Sequence, residues 1–226
     1  MATNYNPSIV TDGLVLCLDA ANTKSYPGSG TTWTDVSGKG YDGTLTNGPT
    51  FSSNYGGNIV LDGSNDFVTG VHNSELNLRN DVTVECWFRR TGGRSTWVRI
   101  FGKGDGSNRT YGLWYHVNSN YFLYQRYSGS SNMNILHTKS VVLNEWYHMV
   151  GTSSGSTHTL YLNGVNVGTA SNSSTFHSST DPYKVGSHDS SYHHIGDVSN
   201  CRIYNRGLSE AEVKQNYNAH KGRFGL

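Results

Sequence analysis

The strongest constraint on this chain is a two-residue alternation that returns from one end to the other. In Val82-Thr83-Val84-Glu85-Cys86-Trp87-Phe88, the residues Val82, Val84, Cys86 and Phe88 fall on one face. Thr83, Glu85, Trp87 and Arg89 fall on the other. That period belongs to strands with one side turned inward. Comparable short runs lie at 14–19, 58–62, 67–70, 98–103, 111–117, 121–127, 141–143, 146–152 and 159–162. Turn clusters such as Gly104-Asp105-Gly106-Ser107-Asn108 and Ser128-Gly129-Ser130-Ser131-Asn132 separate them. Many short strands between polar turns describe a sandwich or barrel. The expected fold is all-β: a two-sheet antiparallel jelly-roll sandwich.

Two local signals are sharper. Asn163-Gly164 stands between Thr159-Leu160-Tyr161-Leu162 and Val165-Asn166-Val167, and Asn-Gly suits a two-residue type I′ turn because both of its residues take positive φ. Near the C-terminus, Ser209 is placed to cap a helix and Glu212 to reach back to the cap. Leu208 and Val213 are spaced as a hydrophobic staple. Val213 and Tyr217 share a face at i, i+4. This predicts one short helix at about 209–218, lying on the sandwich edge. No linker or repeat divides the chain. It reads as an extended arm over 1–13, a sandwich domain over 14–220 and a tail over 221–226, with 22–41 the longest irregular segment.

Composition narrows the function classes. The formal net charge is +1 and no run of Lys or Arg stands out, whereas nucleic acid binding needs a basic face. The longest apolar stretches, such as 14–18, are too short to span a bilayer. The first residues carry no basic segment followed by an apolar one, so a protein made in a cytoplasm is expected, one that is kept there or leaves it without the secretion machinery. Cys17, Cys86 and Cys201 sit far apart inside apolar runs. They read as reduced, buried thiols, and a disulfide would require two of their strands to face each other.

Six stretches, in order, resemble the laminin G-like, concanavalin A-like superfamily. They are Trp33-Thr34-Asp35-Val36-Ser37-Gly38-Lys39-Gly40, Leu61-Asp62-Gly63-Ser64-Asn65-Asp66-Phe67-Val68, the strand from Val82 to Arg89, Asn144-Glu145-Trp146-Tyr147-His148-Met149-Val150, Leu160-Tyr161-Leu162-Asn163-Gly164, and Arg202-Ile203-Tyr204-Asn205-Arg206-Gly207-Leu208-Ser209. The stretch from Asp19 through Gly30 and the tail Lys221-Gly222-Arg223-Phe224-Gly225-Leu226 are similar to versions of this domain in virion proteins of tailed bacteriophages, marine and cyanobacterial ones especially. In many relatives an Asp that helps bind a structural calcium stands where this chain has Ser199. A hydroxyl is a poor substitute for a carboxylate on hard Ca²⁺, so the resemblance implies no cofactor here; Asp19 and Asp35 are the first residues to examine for any metal.

Glycoside hydrolysis needs two carboxylates flanking a cleft, but Glu75, Glu85, Glu145, Glu210 and Glu212 are scattered, and Glu85 has Arg89 at i+4 as an ion-pair partner. Gly151-Thr152-Ser153-Ser154-Gly155 is out of register for a nucleophile elbow. His188, His193 and His194 around Asp189 read as solvated loop histidines in preference to a metal site, and His148 as a structural one. No catalysis is expected. The aromatic strands 111–117 and 121–127 have two readings: core packing between sheets, or a concave strip that stacks on sugar rings. The ligand-binding candidates are Trp97, Tyr115, Tyr124, Arg126 and Tyr192.

Taken with the resemblance, this points to a non-catalytic structural and recognition subunit of a phage virion, of decoration, spike or fibre type. Its partners would be other virion proteins and host-surface glycans, attachment would run through the arm or tail, and a homo-oligomer is compatible with that role. A cellular carbohydrate-binding module and a glycanase or lyase are the alternatives.

Overall fold

The computed structural model describes residues 8–93, 96–128, 132–188 and 193–226. In chain order the strands are β1 (Leu14–Asp19), β2 (Thr32–Trp33), β3 (Gly43–Thr46), β4 (Thr50–Ser52), β5 (Asn58–Asp62), β6 (Phe67–Thr69), β7 (Val82–Arg90), β8 (Trp97–Lys103), β9 (Tyr111–His116), β10 (Tyr121–Tyr127), β11 (Asn132–Thr138), β12 (Trp146–Ser154), β13 (Thr157–Leu162), β14 (Val165–Ser171), β15 (Tyr183–Val185) and β16 (Ile195–Tyr204). One α-helix, α1 (Glu210–His220), follows.

All strand pairs are antiparallel, and the strands form two eight-stranded sheets. The first runs β14-β13-β12-β7-β16-β5-β4, with β1 also on β16; the second runs β11-β10-β9-β8-β15-β6-β3-β2. Between them lies the main core, including Leu16, Leu18, Val84, Phe88, Ile100, Leu113, Tyr115, Tyr124, Tyr147, Met149 and Ile203. The all-β sandwich with one short C-terminal helix is therefore the observed architecture.

The centre of the first sheet rests on a strand that periodicity does not reveal. β16 pairs along one side with β7; along the other it pairs first with β5 and then with β1. A bulge between Val198 and Asn200 shifts the register against β7. It puts Val198, Cys201 and Ile203 all in the core and breaks the alternation by one residue.

Local signals hold where they were specific. Asn163 and Gly164 have φ of 53° and 75°, and Leu162 pairs directly with Val165, so the two-residue turn is present. Ser209 Oγ accepts from the Glu212 N–H while a Glu212 carboxylate oxygen accepts from the Ser209 N–H. Leu208 and Val213 are both buried in one cluster.

Four expectations need correction. The helix does not lie at an edge; it crosses the outer face of the first sheet over its central strands, where Asn216 Nδ2 donates to Glu85 Oε2 on β7 at 2.7 Å and Tyr217 stacks on Trp87 at 5.6 Å. Residues 141–143 form no strand. The run 221–226 is no loose tail, because Lys221–Phe224 forms a 3-10 turn that buries Phe224 against Trp87 and Trp146. From Ser8 onward the arm is docked on its own domain: Val10 N–H donates to Asn216 Oδ1 at 2.8 Å, and Tyr204 O–H donates to the Val10 carbonyl at 3.1 Å. The helix, the tail and the arm share one cause, groups that find partners on the sheet's outer face; at 141–143 the main chain is instead met by side chains, the Val141 carbonyl by Arg90 and the Val142 N–H by the Tyr147 oxygen.

The long segment 22–41 is also packed. Asp35, 6% exposed, accepts from Cys17 N–H and Ser37 N–H on one oxygen and from Ser37 O–H and Tyr41 N–H on the other. The cysteines are free and buried. Cys86 and Cys201 are register partners on β7 and β16 with Sγ atoms 3.5 Å apart.

Candidate functional site

In the second sheet β8, β9, β10 and β11 are consecutive neighbours, so their outward residues form rows. Trp97, His116, Tyr121 and Thr138 make one row; Arg99, Trp114, Leu123 and Leu136 the next; Gly102, Gly112, Gln125 and Asn134 the third; Tyr127 and Asn132 the last. Gly102 and Gly112 leave a dip in the middle. A Cβ on Gly112 would come within 2.7 Å of the Trp114 indole nitrogen, and one on Gly102 within 2.5 Å of the Tyr111 carbonyl. The missing side chains make room for the indole of Trp114 and the stem of Arg99.

Over this dip opens a cleft of about 470 Å³, bounded by Trp97, Trp114, Leu123 and Tyr127 on its apolar side and by Arg109, Gln125, Asn132, Asn134 and His188 on its polar side. The Trp97 ring meets His116 edge-on at 5.0 Å and lies parallel to Tyr121 at 6.5 Å. Trp114 is held between the Arg99 guanidinium at 5.7 Å and the His188 ring at 4.9 Å. His188 Nε2 accepts from the Gly106 N–H at 3.0 Å, fixing the loop 106–108 on the rim. Arg109 lies over the Tyr127 ring at 5.2 Å and donates to Asn132 Oδ1 at 3.4 Å. Gln125 donates to Asn134 Oδ1 at 3.0 Å, while its buried Oε1 has no hydrogen-bond partner among the described residues.

Of the expected ligand-binding residues, only Trp97 lines this cleft. Tyr115, Tyr124 and Arg126 point the other way, into the core. Tyr115 O–H meets His194 Nδ1 at 3.2 Å, Tyr124 O–H meets Ser153 Oγ at 2.7 Å, and Arg126 donates to the carbonyls of Leu78, Arg79, Asn80 and Thr110. Alternation sorted each strand's faces properly, but both faces are aromatic and nothing in one strand says which is inside. Tyr192 lies outside the described residues. The residues that reasoning missed, Trp114, Gln125 and Asn134, become legible only once register aligns them with Trp97 across four strands.

The other candidates have structural partners. Glu85 pairs with Arg202 (2.6 Å) and not with Arg89, which pairs with Asp197 (2.7 Å); both are cross-strand partners on β7 and β16. Burial alone would raise the Glu85 carboxyl, but the Arg202 guanidinium, the His148 ring 3.2 Å away and a hydrogen bond from Asn216 hold it well below the usual carboxylate range. Ser153 Oγ lies 2.8 Å from His158 Nδ1, yet both are fully buried, so no substrate reaches that pair. His194 is buried, which lowers it to about 4. Asp19 is taken by Arg223, whose guanidinium also donates to Ser199 Oγ at 2.7 Å. Asp35 spends both oxygens on loop donors. Among the described residues no group of three or more His, Cys, Asp or Glu is arranged to hold a metal ion, and no helix is long and apolar enough to cross a membrane.

Solved structures with this fold include the receptor binding domain of botulinum neurotoxin type G (TM-score 0.71, 16% identity), covering 91% of this chain and 51% of that one. The binding domain of Paraclostridial Mosquitocidal Protein 1 matches with TM-score 0.73 and 17% identity over 92% of this chain and 52% of that one. Trypanosoma rangeli sialidase in complex with the inhibitor DANA matches with TM-score 0.69 and 18% identity over 93% of this chain and 33% of that one. This chain thus spans about half the length of the two binding domains and a third of the sialidase. At these identities the likeness shows the fold alone. No curated protein matches the sequence. The laminin G model described as the Concanavalin A-like lectin/glucanases superfamily matches residues 62–214, two thirds of the sequence, and on that match the chain belongs to this superfamily.

Proposed function

We propose that this chain is a non-catalytic recognition module that binds a glycan in the cleft on the outer face of the second sheet. The observation that carries the reading is the meeting, in one open cleft, of a partly exposed indole with a ring of amides and a guanidinium. Sugar rings offer C–H faces to an aromatic platform and hydroxyls to amides. A cleft of about 470 Å³ is of the size that holds small ligands. The exposed amides of Asn132 and Asn134 on the cleft wall can meet sugar hydroxyls.

Against an enzyme stands the lining itself, which carries no carboxylate among its described residues, where hydrolysis needs two. The glutamates examined for that role have other work: Glu75 accepts from Tyr41 O–H, Glu145 from Tyr147 O–H, Glu85 binds Arg202 and Glu212 caps the helix. The neurotoxin and mosquitocidal domains named above are themselves receptor-binding or binding domains, which agrees with recognition.

The wider role we propose is a surface subunit of a tailed-phage virion, joined to other virion proteins and presenting the cleft to host glycans. Its support is the resemblance of residues 19–30 and 221–226 to phage virion domains. On a glycan array the full chain should bind a restricted set of sugars, and Trp97→Ala should weaken them at least about tenfold, as loss of an anchor does. New reducing ends released from polysaccharides would overturn the non-catalytic reading. Absence of the chain from purified particles would overturn the virion role and leave sugar binding standing.

A further inference from the structure

Charge around the cleft is unbalanced. Arg109 lines it and has no carboxylate within salt-bridge distance among the described residues; its Nε is buried without a hydrogen-bond acceptor, and its other contacts are a tyrosine ring and an asparagine oxygen. Nearby, the buried Arg99, which packs on Trp114, and Lys184 both pair with Asp105. The described groups on this face are thus Arg109, Arg99 and Lys184, with Asp105 the carboxylate that pairs with the last two. Elsewhere in the molecule Arg89, Arg202, Arg206 and Arg223 each pair with a carboxylate, and Arg79, Arg90 and Arg126 donate to main-chain carbonyls; Arg109 has neither among the described residues.

Resting on the glycan reading above, we infer that the sugar bound in this cleft is acidic, carrying a carboxylate or sulfate group that Arg109 receives while Trp97 stacks on the ring and Asn132 and Asn134 take hydroxyls. A half-buried guanidinium in a cleft walled by indoles is weakly screened, and its planar fork fits either anion. A neutral sugar would use none of this charge. Wild-type binding should weaken as salt rises, which a purely neutral ligand would not require.

An array that prints each carboxylated or sulfated glycan beside its neutral counterpart tests the idea with the full chain. The expected result is binding to acidic members, with neutral partners roughly tenfold or more weaker, the value of one charge-assisted contact. Arg109→Gln should erase the preference, Arg109→Lys should keep most of it, and Trp97→Ala should weaken both members of each pair. Circular dichroism would verify that each variant is folded. Equal binding of acidic and neutral partners by wild type overturns the acidic ligand and leaves the glycan reading intact. A preference that survives in folded Arg109→Gln also overturns it, since the charge then resides elsewhere. Binding of no glycan by wild type overturns both readings together.

Discussion

The two outer faces of this sandwich carry similar residues and have opposite fates. On the first sheet, Trp87 and Trp146 face outward, and the chain folds back over them: Phe224 packs 4.4 Å from each ring and Tyr217 stacks on Trp87. On the second sheet, Trp97 and Trp114 face outward beside a cleft over which no α-helix packs among the described residues. The cover on the first sheet also brings polar groups. Asn216 and Arg202 hold Glu85, Arg202 donates to His220, and Arg223 holds Asp19. An aromatic row under a helix becomes a second core, and the same kind of row left open becomes a surface for a ligand.

If this contrast is right, stability should reside in the covered face and binding in the open one. Glu85→Ala would test it most severely. It would leave the Arg202 charge buried without its main partner, with an expected cost of about 3–5 kcal/mol in chemical denaturation; a change below 1 kcal/mol would mean the web under the helix is dispensable. Phe224→Ala comes next, at about 3 kcal/mol for an aromatic removed from a buried cluster. It should also expose Trp87 and Trp146, red-shifting tryptophan fluorescence before global unfolding. If the melting temperature is unchanged, the C-terminal turn is not a cover.

Acid should undo the covered face gradually. His220 is lowered to about 4, by burial first and by the Arg202 guanidinium second, from an ordinary 6.5. The unfolded chain therefore takes up this proton first, and stability falls as pH drops from about 6.5 toward 4. Glu212, held at about 2 by its bonds to Arg206 against an ordinary 4.5, adds a loss between those values. Thermal melts should show the decline, and His220→Gln should flatten its upper part. The smallest effect on stability, and the sharpest discriminator, is Trp97→Ala on the open face. Being partly exposed, Trp97 should cost under about 1 kcal/mol when removed, while glycan binding is lost. A large destabilisation would make Trp97 one more packing residue and erase the contrast.

Much of the sandwich was legible because one inward face forces alternation; the bounds of β1, β5 and β10 follow from it directly, and the Asn163-Gly164 turn and the Ser209 cap from their own chemistry. β16 was not legible, because its bulge flips parity in mid-strand. Nor was the burial of Arg126, whose four carbonyl acceptors come from the distant segment 78–80 and from Thr110; a charged residue in a strand pattern reads as exposed. Of the candidate cleft, Trp97 could be named and its neighbours could not, since a cleft depends on register between strands.

The way β16 serves three strands has a consequence for how the molecule is made. During synthesis β1, β5 and β7 must all wait for a partner that emerges long after them: the Val10 carbonyl finally meets the Tyr204 hydroxyl 194 positions away along the chain. Until then their edges are unpaired and apolar. A topology of such distant pairings folds slowly, on the order of milliseconds to seconds once complete. From the emergence of β1 to that of β16 the growing chain thus holds open edges, the state most exposed to mispairing with a neighbour.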